Sequence, residues 1–213
     1  MSFRLAKNLV IYFCVVIFFI GCTADELYND PRMNQIPYEH RKFATAVVDI
    51  HIDSISLSDM NLTNKKFTVL SGNQGMEEGD LEFQEVARYV KNAMILRGAK
   101  ISSNQDNSDL IIRVSFGIGD PSSTVAYSYW TGWVQHNVHS TVYKRTLIIA
   151  AYDAKNPKQQ LWKTMVTSVG TTSNLRNVVP SLVATSVWFL GKNAITDRHY
   201  VNLPTLIRVE LGP

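Results

Sequence analysis

The 213-residue chain carries 21 Lys and Arg against 18 Asp and Glu, a formal charge of +3, with 46% hydrophobic residues and two cysteines. A chain this long can bury most of its apolar surface in one core. Its weak positive charge gives no electrostatic basis for nucleic-acid binding, and two cysteines exclude a disulfide framework.

Arg4 and Lys7 precede an apolar run from Leu9 to Ile20, which ends at Gly21-Cys22. A bilayer-spanning helix needs about 20 apolar residues, so the run is read as the charged and hydrophobic regions of an export signal. Phe19-Ile20-Gly21-Cys22 resembles the lipobox of bacterial lipoproteins, which implies cleavage before Cys22 and acylation of that cysteine. Two or more acyl chains anchor a protein stably without any helix. Loss of residues 1–21 removes Arg4 and Lys7 and no acid, lowering the charge from +3 to +1. Cys14 leaves with the signal, so the mature chain has no internal disulfide and depends on its core. The same resemblance makes Thr23, where Asp would signal inner-membrane retention, a pointer to the periplasmic face of the outer membrane.

Residues 22–42 are polar, contain two prolines and lack apolar periodicity, as expected of a tether after the lipidated cysteine. The domain is expected over 43–213. It opens with alternating Ala46, Val48, Ile50 and Ile52, a half-buried strand; Ile55 and Leu57 fall on the other parity, which predicts a bulge near Ser54. "KKFTVLS" predicts a second strand before a glycine-bearing turn at 72–79. Asp80 is placed to cap a helix with an apolar face of Phe83, Val86, Ala87, Val90, Ala93 and Met94, stopped by Gly98.

Strict alternation over Leu110 to Ile118 predicts a strand, and Ile111 on its polar parity implies cover on both faces. Residues 141–153 and 161–169 predict a hairpin around Asn156-Pro157. Pro180 opens a helix apolar on much of its circumference, stopped by Gly191, and "TLIRVEL" reads as a last strand. The element order predicts an α+β two-layer sandwich: a mostly antiparallel or mixed sheet with two main helices on one face.

Three stretches carry a family resemblance: "LEFQEVARYVKNAMILRGAKIS", "SDLIIRVSFGIGDP" and "TLIIAAYDAKNPKQQLWKTMV". From Phe43 to Leu211 the pattern resembles a bacterial lipoprotein family defined by a domain of unknown function, the one numbered four-one-three-six. The resemblance implies an envelope lipoprotein with a sheet-and-helix fold similar to the N-terminal domain of TolB. It brings no established catalytic residues.

Two constellations have the chemistry for a site. Asp49, His51 and Asp53 alternate on one strand, so their side chains share a face with roughly 7 Å between neighbours, a spacing open to metal binding or acid-base work. The same alternation is what the solvated face of any half-buried strand needs. Tyr127, Tyr129, Trp130 and Trp133 crowd an aromatic-rich insertion near 120–140, and Tyr and Trp dominate binding hot spots. His136 and His139, three apart, meet on one face only if that segment is helical.

The leading expectation is therefore a non-enzymatic binding or assembly factor. It is tethered to the membrane through lipid on Cys22, requires no cofactor, and has an envelope protein as partner. The alternatives are a metal-binding or hydrolytic envelope protein using Asp49, His51 and Asp53, and a structural subunit of an envelope machine. Neither the partner nor the oligomeric state is written in the sequence.

Overall fold

A computed structural model describes residues 50–131, 133–198 and 203–212, with side chains except at 124–131, 134, 137, 138, 198, 203 and 204. The described residues lie within one compact unit, Lys42–Pro213. The elements are β1 (Ile50–Ser56), β2 (Lys66–Ser71), α1 (Leu81–Leu96), β3 (Lys100–Ile101), β4 (Leu110–Ile118), β5 (Ser122–Thr131), β6 (Val134–Asp153), β7 (Gln160–Gly170), α2 (Val179–Ser186), β8 (Ala194–Arg198) and α3 (Leu203–Leu211). Short 3-10 turns flank α2 at Leu175–Asn177 and Val187–Phe189.

The strands form one mixed sheet in the order β3-β2-β4-β6-β7-β1-β8, with β5 paired to β6 off that path. β2 runs parallel to β3 and β4, and the other pairings are antiparallel. A parallel pair needs a crossover, and α1 supplies it between β2 and β4. The three helices pack on one another: α1 lies against β2 and β3, and α2 against β1, β6 and β7. The architecture is the expected α+β sandwich, with a third helix in addition to the two read from the sequence.

That third helix is a correction. "TLIRVEL" belongs to α3, whose buried residues Thr205, Leu206, Val209 and Glu210 recur at the four-residue spacing of a helix. A short apolar run fits either period, and here packing on α1 decides. The α1 side chains of Arg88 and Asn92 donate to the carbonyls of Glu210 and Val209, satisfying the last turn of α3.

The expected bulge near Ser54 is also overturned. β1 pairs with β7 without a break from Ile50 opposite Ser168 to Ser56 opposite Trp162. Ser54 and Ser56 therefore continue the core-facing parity of Ile50 and Ile52, while Ile55 and Leu57 point outward at 63% and 73% exposure. The buried hydroxyls are satisfied: Ser54 Oγ lies 2.7 Å from Thr164 Oγ1 and donates to the Phe189 carbonyl at 3.0 Å, and Ser56 Oγ donates to the Ser58 carbonyl.

Asp80 occupies the N-cap position of α1, but its carboxylate accepts from the Glu77 amide at 3.0 Å and caps no helical N–H. Gly98 ends the helix at φ +85°, and a Cβ there would meet Thr63 at 3.2–3.3 Å, so backbone conformation and space both require glycine. The hydrophobic circumference of α2 has the expected result, since all eight of its residues are buried.

Candidate functional site: an outlying ribbon and an open cleft

The aromatic-rich segment forms neither a loop nor a helix. β5 and the first part of β6 make an antiparallel ribbon of nine residue pairs, from Ser122 opposite Val142 to Thr131 opposite Val134. At about 3.4 Å per residue it is roughly 30 Å long. β6 joins β7 only from Tyr143 and β4 only from Arg145, so the ribbon runs beyond the sheet on its own pairing. The register shifts between Val125 and Tyr127, a local irregularity of the kind a β-bulge makes.

Tyr127 stands opposite Val138, Tyr129 opposite His136 and Trp130 opposite Gln135. The side chains of Tyr127, Tyr129 and Trp130 lie outside the described residues. Trp133, in the tip between the two strands, is 98% exposed. His136 and His139 sit on a strand, where a spacing of three puts them on opposite faces; the helical meeting considered from the sequence does not arise.

Of the acidic-imidazole constellation, Asp49 lies outside the described residues, as does the lipidation candidate Cys22. His51 and Asp53 share the outer parity of β1, opposite the core face. The imidazole Nδ1 of His51 is 2.7 Å from Asp197 Oδ1 on the neighbouring β8, so its carboxylate partner comes from a strand nearly 150 residues away in sequence. Asp53 is flanked across the sheet by Met165 and Ile195, and its Oδ1 is buried without a hydrogen-bond partner. Among the described residues no group of three or more His, Cys, Asp or Glu is placed to hold a metal ion.

No local motif marks a cleft of about 740 Å³ between the start of α1, the end of β4 and the segment before α2. Its apolar wall includes Phe116, Ile118 and Leu175, and its polar rim includes Glu82, Glu85 and Arg176. Asn73 holds the β4 wall in place, its side chain donating to the Phe116 carbonyl at 2.9 Å and accepting from the Phe116 amide at 3.1 Å.

On the rim, Arg176 Nε donates to Glu85 Oε2 at 2.7 Å, and the Tyr89 hydroxyl donates to Glu85 Oε1 at 3.1 Å. This bond to Glu85, then its charge, raises the Arg176 pKa above the ordinary arginine value. Burial, reinforced by Glu85, pushes the Tyr89 phenol up to about 12. The Glu85 carboxylate is thus fully engaged. Four chain segments meet in this cleft, which is why no local motif revealed it. Among the described residues, no helix is long and apolar enough to cross a membrane.

Fold and surface together define an α+β sheet-and-helix module with a projecting ribbon and an open cleft. The family model for the domain of unknown function DUF4136 matches residues 58–186, more than half of the chain, and the chain belongs to that family. Among solved structures it is similar to a DUF4136 family protein from Bacteroides thetaiotaomicron, with 17% identity, a TM-score of 0.37, and coverage of 65% of this chain and 96% of that one. It is similar to PelC from Paraburkholderia phytofirmans, solved as a dodecamer, with 13% identity, a TM-score of 0.40, and coverage of 68% and 99%. A PDZ domain protein from Parabacteroides distasonis aligns at 12% identity and a TM-score of 0.42 over 78% of this chain but only 43% of its own. Likenesses at this level carry no conclusion about activity, partners or assembly. No curated protein matches the chain.

Proposed function

We propose that this DUF4136 protein is exported, lipid-anchored through Cys22 at the periplasmic face of the outer membrane, and acts there as a non-enzymatic binding or assembly factor. The observation that carries the binding role is the ribbon: a two-stranded projection whose tip presents Trp133 almost fully to solvent. An exposed tryptophan on a self-paired ribbon suits contact with a partner, because a large amphipathic ring is buried there at little entropic cost. The anchoring part rests on the export signal and the Gly21-Cys22 junction.

The metal-binding or hydrolytic alternative built on Asp49, His51 and Asp53 is less favoured, because the His51 imidazole is already held by Asp197. A structural subunit would use the same surfaces at fixed stoichiometry.

Two measurements test the proposal. A photo-crosslinking residue at position 133, introduced in intact cells, should trap one envelope protein reproducibly, whereas the same residue at Lys158 in the exposed β6–β7 turn should not. Equal background at both positions would remove the binding role. A labelled fatty acid should enter the native chain and be absent from Cys22→Ser; label persisting in that variant would remove the anchor.

A further inference from the structure

Arg145 lies on β6 in the same row as Leu147, Ile149 and Ala151, facing the core, and is 0% exposed. Its Nε, Nη1 and Nη2 are all buried, and among the described residues none has a hydrogen-bond partner. Directly across the ladder on β7, the Ser168 hydroxyl is buried and unpartnered as well. Further along the same face the buried hydroxyls of Ser54, Ser56 and Thr164 are all paired. A guanidinium keeps its proton at any physiological pH, so it cannot relieve burial by becoming neutral. It needs an anion.

Gly170 fixes where the guanidinium points. A Cβ at that position would lie 2.5 Å from Arg145 Nη2 and 3.0 Å from Cζ, so the side chain passes directly over the glycine. Gly170 stands opposite Tyr143, two positions beyond Ser168, and the guanidinium therefore leaves the apolar row and reaches toward the end of the sheet. The chain continues there as Thr171-Thr172-Ser173-Asn174. Ser173 and Asn174 line the cleft, and so does Ile118, the β4 partner of Arg145. The cleft carboxylate of Glu85 is committed to Arg176 and Tyr89.

We propose that this end of the sheet, one strand in from the cleft, binds an oxyanion: the two-oxygen edge of a phosphate or carboxylate group, gripped by Arg145 and Ser168. The planar fork of the guanidinium matches two oxygens at once, and the serine hydroxyl adds a third donor from the adjacent strand. Gly170 is the residue that makes room. Burial alone holds the Arg145 pKa below its ordinary value, with no neighbouring charge opposing it. This site is separate from the ribbon, and its failure would leave the reading of Trp133 untouched.

The test uses the full-length chain purified in detergent, with unfolding followed by tryptophan fluorescence. Inorganic phosphate and acetate are each compared with chloride at constant ionic strength. A ligand at a hundredfold excess over its Kd should raise Tm by roughly 5–10 °C in a saturable manner. Whichever of phosphate and acetate gives the larger shift identifies the class of ligand.

Arg145→Met, which keeps the stem and removes the charge, should abolish the shift and unfold no earlier than the native chain in chloride. Two results would overturn the site: no oxyanion-specific shift in the native chain, or a shift that survives in Arg145→Met. If Arg145→Met does not fold, Ser168→Ala decides, since a reduced shift supports the site and an unchanged one rejects it.

Discussion

Replacing Ser54 by Ala removes a hydroxyl that is 2% exposed and makes two hydrogen bonds, one to Thr164 Oγ1 and one to the Phe189 carbonyl. Thr164 Oγ1 would lose its partner in the core while the Phe189 carbonyl keeps the Lys192 amide at 3.1 Å, at a cost of about 1–3 kcal/mol, or roughly 3–10 °C in Tm for a domain of this size. Thr164→Val leaves Ser54 its bond to Phe189 and should cost about 1 kcal/mol. The double variant should cost less than the sum of the two by about 0.5–2 kcal/mol, because the two hydroxyls answer one another.

The companion substitution is Ile55→Ser. At 63% exposure Ile55 contributes little burial, and its loss should stay within about 0.5 kcal/mol. Urea unfolding of the native chain and the four variants with a common m-value measures all these differences. A bulged β1 with Ile55 in the core would reverse the pattern, with Ser54→Ala neutral and Ile55→Ser costing several kcal/mol. That result would refute the continuous register and the argument built on it.

Tyr89 ties stability to alkaline pH. Its folded pKa of about 12 lies above the ordinary value of 10.0, so its contribution is complete below pH 10 and is lost as pH rises through 12, a decline of about 2–3 kcal/mol. Tyr89→Phe should flatten that decline in urea titrations from pH 9 to 12 and cost about 1 kcal/mol at pH 7 for the bond to Glu85; an unchanged slope would contradict the assignment. Gly98→Ala forces a side chain into φ +85° against Thr63 and should cost about 1–3 kcal/mol by thermal unfolding, more than Gly79→Ala, where a Cβ meets nothing within 4 Å.

Periodicity carried far where neighbours along the chain decide the outcome. The β4 strand runs from Leu110 to Ile118 as the alternation required, and α1 ends where Gly98 adopts positive φ. The α2 helix, apolar on much of its circumference, is buried on every side. Ile111 is buried too, on a central strand flanked by β2 and β6.

Periodicity failed where distant partners set the energy. Ser54 and Ser56 face the core because Thr164, Phe189 and Ser58 satisfy them, and no rule of alternation assigns a value to a hydrogen bond made across the sheet. "TLIRVEL" is helical because α1 supplies both an apolar surface and the donors for its terminal carbonyls. The candidate sites divide in the same way. The exposed tryptophan was visible as composition, but its place at the tip of a ribbon follows from strand pairing.

The sequence by itself determined the α+β class and the family, since these depend on local order and composition, and the proposed export signal and lipidated cysteine rest on it as well. Tertiary structure alone decided that His51 meets Asp197, that four segments enclose a cleft, and that Arg145 lies buried over Gly170 with no hydrogen-bond partner among the described residues. Each of these joins residues from separate strands or loops, and only the folded sheet brings them within the few ångströms at which hydrogen bonds and charges act.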